Sequence, residues 1–262
     1  MRILVCIKHV PDAQSDRRIE EGRLVRGEDD TLNELDENAL EAAVQLVEER
    51  GGEVIALSMG PEDAEESARF ALQKGADRAV LVTDERLAGT DVVGTAHVLA
   101  AAYQQLSAEG SIDLVLTGMS SLDGMTSLLP AALATLIEKP YLSLAHELSV
   151  ADERVHIRRS ADGYDDELSA ALPAVVSVTD QVNEPRYPNF RAMRAARKKP
   201  LDHWNLDDLA NFTAFDTVGG GGASVQLLES EQAPARVGGD VVEDTGGNGA
   251  ELLTDFIVEV MK

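Results

Sequence analysis

Between Arg2 and Thr117 short aliphatic runs alternate with longer segments of helical period, and this rhythm restricts the fold more than any other feature of the chain. Arg2 to Lys8 is the first run: Ile3 to Ile7 offers no polar face to water, so it reads as a strand covered on both sides, and His9-Val10-Pro11-Asp12 ends it in a loop. From Glu34 to Arg50, Leu35, Ala39, Leu40, Ala43, Leu46 and Val47 recur at steps of three and four, and Gly51-Gly52 stands where a helix C-terminus belongs. Glu53 to Ser58 is a second strand, and the helix after it opens at Gly60-Pro61 and closes at Gly75. Arg78 to Thr83 is a third strand, Thr90-Asp91 caps a helix reaching Ser107, and Ile112 to Thr117 is a fourth strand. Such β/α units imply an α/β fold with a mostly parallel, doubly wound sheet.

The rhythm changes after Pro140. Segments around Ser143 to Ser149, Arg154 to Ser160 and Glu167 to Ala171 are short and punctuated by polar residues, as in an added antiparallel hairpin region, and the apolar strand Ala174 to Val178 then returns to the core. Beyond Asp180 periodicity is scarce. Gly219 to Gly222 and Gly246-Gly247-Asn248-Gly249 read as flexible stretches, and Glu251 to Met261 reads as a terminal helix striped by Leu252, Leu253, Phe256, Ile257 and Val260. That stripe suits either a partner subunit or the chain's own core. The expected organisation is an α/β domain with its hairpin insertion over residues 1–182, a segment 183–200 distinguished by charge, and an extended C-terminal arm over 201–262.

Charge narrows the partners. The 47 acidic side chains outnumber the 23 basic ones, a formal net charge of −24, which disfavours nucleic acid as a partner. Lysine poverty accompanies the acid excess and points to a halophilic, salt-rich milieu that screens self-repulsion; an ordinary acidic protein is the alternative. The single cysteine, Cys6, forms no internal disulfide, and Lys8 cuts the N-terminal apolar run too short for a signal peptide, so a reducing, cytoplasmic address is expected. Leu128 to Ile137, broken by Pro130, is far shorter than the roughly twenty residues of a membrane span, and no direct membrane insertion is expected.

In open parallel sheets ligands bind outside the carboxyl ends of the strands, near the point where strand order reverses. Here those ends are His9 to Asp12, Met59-Gly60, Asp84 and the stretch Thr117 to Ser127, whose glycines, serines and threonines lead into a helix start suited to phosphate or simply form an ordinary capped loop. Asn33 and Asp36 lie on the same edge, and from pattern alone either caps the first helix. Cys6 reads as a buried inert thiol. The histidines have no metal-ligand spacing, catalytic motifs are absent, and Asp162 to Glu167 reads as a solvated hairpin tip. One segment opposes the prevailing charge: between Glu184 and Asp202 stand Arg186, Arg191, Arg194, Arg197, Lys198 and Lys199 with no acidic residue. If 189–199 is helical, Arg191, Arg194 and Lys198 share a face beside Phe190 and Met193, which suits either a docking patch or a basic helix neutralising the chain's own surface.

These residues resemble a known family. Ile7-Lys8-His9-Val10-Pro11-Asp12, the stretch Asn33 to Ala43, Leu57-Ser58-Met59-Gly60-Pro61, Ala71 to Arg78, Leu116-Thr117-Gly118 and above all Leu172 to Val178 followed by Asn183-Glu184-Pro185-Arg186-Tyr187-Pro188 are similar to the β subunit of electron-transfer flavoprotein. The resemblance implies a fold of adenine-nucleotide-binding type and an electron-carrier subunit, not an enzyme, paired with an α subunit. It implies FAD shared with that subunit, AMP held by the β chain, electrons received from acyl-CoA and other flavin dehydrogenases, and electrons passed to a quinone oxidoreductase. The nucleotide would contact Cys6, Asn33, Leu35, Asp36, Met59, Gly118, Asp123, Gly124, Met125, Thr126, Ser127, Leu128 and Leu129. The docking set implied is Arg186, Tyr187, Phe190, Arg191, Met193, Arg194, Arg197 and Lys198, with Phe190 as the apolar anchor. Where the family reads Asp-Gly-Asp-Thr-Ala-Gln-Val-Gly, this chain has Asp123 to Pro130 with fewer polar side chains, which leaves phosphate to backbone N–H groups, Thr126 and Ser127. An electron-bifurcating form with a second FAD, an adenylating enzyme and a stand-alone nucleotide-binding protein are the rival readings.

Overall fold

The computed structural model describes residues 1–262 except 16, 21, 22, 213, 214, 232–237, 240, 242 and 262. They divide into two units, Met1–Leu228 and Glu229–Lys262. The first is built on seven parallel strands: β1 (Arg2–Ile7), β2 (Glu53–Met59), β3 (Arg78–Val82), β4 (Leu114–Gly118), β5 (Tyr141–Ala145), β6 (Ala174–Val178) and β7 (Leu201–Trp204), in the order β7-β3-β2-β1-β4-β6-β5.

The helices are α1 (Glu34–Arg50), α2 (Glu65–Lys74), α3 (Val92–Glu109), α4 (Leu129–Leu136) and α5 (Phe190–Ala196). Both faces of the sheet are apolar, which is why helices cover both. Ile3, Val5 and Ile7 of β1 pack with Leu40 and Ala43 of α1 and Leu72 of α2, while Leu4 and Cys6 face Val98 and Leu106 of α3 and Leu133 of α4. Each fully buried Leu or Ile of this core contributes on the order of 1.5–3 kcal/mol relative to exposure. The helix read from spacing over Glu34 to Arg50 has those same bounds, and Gly51 donates its N–H to Val47 at its C-terminus. Asp91 caps α3 as expected, accepting from the Gly94 N–H at 2.9 Å.

Several expectations need correction. Ser143 to Ser149 is not one hairpin segment: Tyr141–Ala145 joins the parallel sheet beside β6, and only after His146 does the chain enter a three-stranded antiparallel sheet, Glu147–Ala151, Arg154–Ala161 and Tyr164–Ala171. Val150, Val155 and Ile157 bury that sheet's inner face against the main core. Residues beyond Asp180 supply a strand that periodicity did not suggest, Leu201–Trp204, because its apolar content is low and its register with Ala79–Val82 is set by a distant partner. A 3-10 turn, Glu62–Ala64, precedes α2 rather than a helix opening directly at Pro61. The Gly219–Gly222 run is a helical turn tied to its surroundings, with the Gly219 N–H on Thr90 Oγ1 at 2.7 Å and the Gly220 N–H on the Ala88 carbonyl at 3.0 Å. In the second unit the terminal helix spans Gly249–Val260.

Candidate functional site

Strand order reverses at β1: the chain steps outward through β2 and β3, then crosses to β4 on the other side of β1. The crevice beyond the ends of β1 and β4 is therefore the place where this topology receives a ligand. Asp36, one turn into α1, spans it. Its Oδ2 accepts the Lys8 N–H at 2.9 Å and its Oδ1 the Gly118 N–H at 3.3 Å, joining the two strand ends. Gly118 is required by this approach, since a Cβ there would lie 2.6 Å from Asp36 Oδ1 and 2.7 Å from the Leu35 carbonyl. Burial pushes the Asp36 carboxyl up to about 7, against the lowering effect of its hydrogen bonds with Asn33, Lys8 and Gly118.

Asn33 corrects the capping expectation. It precedes α1, but its side chain makes no cap bond. Instead its Nδ2 donates to the Ser120 carbonyl at 3.0 Å and its Oδ1 accepts the Leu122 N–H at 3.0 Å, pinning the loop after β4. Asp36 is inside the helix, not ahead of it. The loop's far end is held by Asp123, whose side chain is 3% exposed and paired with Lys8 Nζ at 2.8 Å and with Arg26. Burial alone would raise the Asp123 carboxyl, but the charge and hydrogen bond of Lys8, with hydrogen bonds from Arg26 and Ser121, hold it below the usual carboxylate range. Lys8 and Arg26 thus share one carboxylate at this corner.

Past Asp123 the loop Gly124 to Leu128 is exposed, with Met125 (φ 50°) and Ser127 (φ 51°) in the left-handed region and the Met125 N–H bonded to the Ser121 carbonyl at 2.9 Å. It leads into α4, whose first turn has no side-chain cap. On the sheet face covered by α3 and α4, the buried Thr117 hydroxyl has no hydrogen-bond partner among the described residues. Met59 ends β2 partly buried on the same face. Cys6 is 5% exposed, and burial, with the nearby charge of Asp36, pushes its thiol up to about 12, so it offers an apolar wall rather than a nucleophile.

A second feature lies on the α1–α2 side. Phe190 begins α5 and is 91% exposed, and Tyr187 is 92% exposed. Arg191, Arg194, Arg197 and Lys198 are exposed and make no ion pair among the described residues, while Met193 is 42% exposed and Ala196 is buried. The helix ends at Ala196, so Lys198 lies beyond it instead of sharing its face. Arg186 differs from the rest of this set, because its guanidinium is bound by Glu41 and Glu48 of α1.

The model of the electron transfer flavoprotein domain matches residues 22–209. The chain belongs to this family. It is 35% identical over 265 residues to the electron transfer flavoprotein subunit beta of Mycobacterium leprae, covering 98% of each chain. It is 33% identical over 264 residues to protein FixA of Bradyrhizobium diazoefficiens, covering 98% of this chain and 91% of the relative. It is 32% identical over 253 residues to the caffeyl-CoA reductase-Etf complex subunit CarD of Acetobacterium woodii, covering 95% and 94%.

Within this electron transfer flavoprotein chain, the crevice brings together Asn33, Leu35, Asp36, Gly118 and Asp123, drawn from two elements far apart in sequence. Lys8 and Arg26 were missed. Lys8 carried a signal, as the cation that ends a buried strand on the ligand edge; Arg26 carried none. Spacing marks Thr117 only as a strand end. Among the described residues no metal-holding cluster occurs and no helix is long and apolar enough to cross a membrane.

Proposed function

We propose that this chain is the β subunit of a heterodimeric electron-transfer flavoprotein, an electron carrier without substrate turnover of its own, working in a salt-rich cytoplasm. With an α subunit it forms the FAD site, holds AMP in the crevice between β1 and β4, receives electrons from acyl-CoA and other flavin dehydrogenases and delivers them to a quinone oxidoreductase. The observation that carries this reading is Phe190, an almost fully exposed ring at the head of a segment of cations that make no ion pair among the described residues, in a family that transfers electrons. A small apolar anchor with charged steering suits contacts that form fast and release quickly.

The residues fit an adenylate. The orphaned Thr117 hydroxyl offers a partner to a polar ligand, the exposed turn at Thr126 and Ser127 and the uncapped start of α4 offer N–H groups to phosphate, and Lys8 and Arg26 stand at the rim. Met59 and Cys6 supply apolar wall. FAD, when bound, supplies the redox-active ring; the protein's part is to seat it, exclude water and present the docking segment.

The comparable identity to a subunit of a caffeyl-CoA reductase complex supports a second reading, in which a second FAD replaces AMP. Met125, Leu128 and Leu129 provide no side-chain donors for a diphosphate, which favours AMP. Flavin absorbance of the chain co-purified with its α subunit decides between them: one FAD per heterodimer supports the carrier, two the second reading, and none overturns both. Phe190→Ala is expected to slow electron acceptance at unchanged flavin content; lost flavin would make Phe190 structural instead.

A further inference from the structure

We propose that Arg186 is a positioning residue for electron-partner docking: it clamps the stretch entering α5 onto α1 and thereby sets where Phe190 is presented. This rests on the docking reading above and goes a step further, to what holds the docking element in place.

The geometry is a double fork. Arg186 Nε donates to Glu41 Oε2 at 2.7 Å and an Nη donates to Glu41 Oε1 at 3.0 Å, while the other terminal nitrogen donates to Glu48 Oε1 at 2.6 Å. The Arg186 backbone N–H reaches Glu41 Oε2 as well, at 3.2 Å. Glu41 and Glu48 are seven positions apart on α1, two helical turns, so one planar guanidinium spans both. The Glu41 side chain is only 5% exposed, and a carboxylate buried to that degree is tolerated only when paired. Burial works against the Glu41 charge, and Arg186, with Gln45, more than offsets it, holding the carboxyl below its ordinary value.

Neighbouring contacts tie the same stretch to the same helices. Asn38 Nδ2 donates to the Asn183 carbonyl at 3.0 Å, and Asn183 Nδ2 returns a bond to the Asn38 carbonyl at 3.0 Å. Lys74, paired with Glu37 at 2.6 Å, lies 5.8 Å from the centre of the Tyr187 ring. On the far side of α5, Lys199 Nζ donates to the Ala76 carbonyl at 2.6 Å and the Leu72 carbonyl at 3.2 Å, at the end of α2. The seven residues of α5 are thus held at both ends by the body of the protein while Phe190 stands in solvent. An anchor presented this way has its ordering cost met during folding, so little is left to be met at each encounter.

The test is a double-mutant cycle on the complete heterodimer, with an acyl-CoA dehydrogenase reduced by its thioester as electron donor. Arg186→Lys keeps the charge that Glu41 needs but loses the planar fork. The expected result is a KM for the donor raised roughly threefold to tenfold, the penalty of ordering a loosened segment on docking, with kcat and flavin content unchanged. In a Phe190→Ala background the same substitution then adds little, because there is no anchor left to present. An unchanged KM in Arg186→Lys beside a raised KM in Phe190→Ala overturns the positioning role, as do effects that multiply in the double variant. If Phe190→Ala alone leaves KM unchanged, the docking reading itself fails and takes this inference with it. Should Arg186→Lys not fold, Glu48→Gln, which weakens only the exposed half of the clamp, is carried through the same cycle under the same criteria.

Discussion

Asp36 gives the crevice a pH dependence that can be worked out in advance. Its carboxyl is pushed up to about 7 from an ordinary 3.8, so the folded protein holds a proton there that the unfolded chain has already lost. The stabilisation this brings is fully present below the unfolded value and is lost as pH rises through the folded one. Protonation favours the folded state by roughly 3 kcal/mol at pH 5 and by almost nothing at pH 8. Asp36→Asn removes the titration. It also sets an amide N–H against the Lys8 or Gly118 backbone N–H, a cost that does not vary with pH. The assay is urea unfolding of wild type and variant at both pH values. The wild type should gain roughly 3 kcal/mol on the variant in passing from pH 8 to pH 5, a difference from which groups distant from Asp36 drop out. A wild-type-minus-variant difference that stays level across this range would refute the burial argument.

Asn33→Ala leaves the Ser120 carbonyl and the Leu122 N–H without their partner and should cost about 2–4 kcal/mol, read from the urea midpoint, with faster exchange of the Leu122 amide; protection as in wild type would contradict the pinning role. Thr117→Val exchanges an unsatisfied buried hydroxyl for a methyl group of the same shape, so the apo chain should be stabilised by about 1 kcal/mol while AMP affinity, by calorimetry, falls about tenfold; unchanged affinity would remove Thr117 from the site. With a net charge of −24, unfolding free energy should rise with sodium chloride up to about 1 M, and a maximum below about 0.2 M would contradict the screening argument.

Periodicity was enough to place α1 at its observed bounds and to find β1 to β4 of the parallel sheet, because the two-sided apolarity of a run such as Ile3 to Ile7 is written in consecutive residues; it passed over the short antiparallel pair His9–Pro11 and Asp30–Leu32, which has no such run. It failed at Leu201–Trp204 and at the break after Ala145, where the strand exists because β3 or β6 offers a paired edge and not because of its own pattern. The family resemblance adds Asn33, Asp36 and Asp123 as expected nucleotide contacts, but not the hydrogen bonds that each one makes.

Those tasks depend on separation through the fold. Asn33 has the composition of a cap and becomes a loop anchor because the crossover to β4 brings Ser120, 87 residues away, within reach. Arg186 sits in a basic run like its neighbours and becomes a clamp because Glu41 and Glu48 lie beneath it, and Lys8 and Arg26 meet only through Asp123. Local order thus dictated which faces of each element are apolar, and from that the layered sheet follows. Which polar groups meet was left to the tertiary fold, which sets β4 beside β1 and residues 183–187 against α1, since a hydrogen bond is specific in space and carries no trace in spacing along the chain.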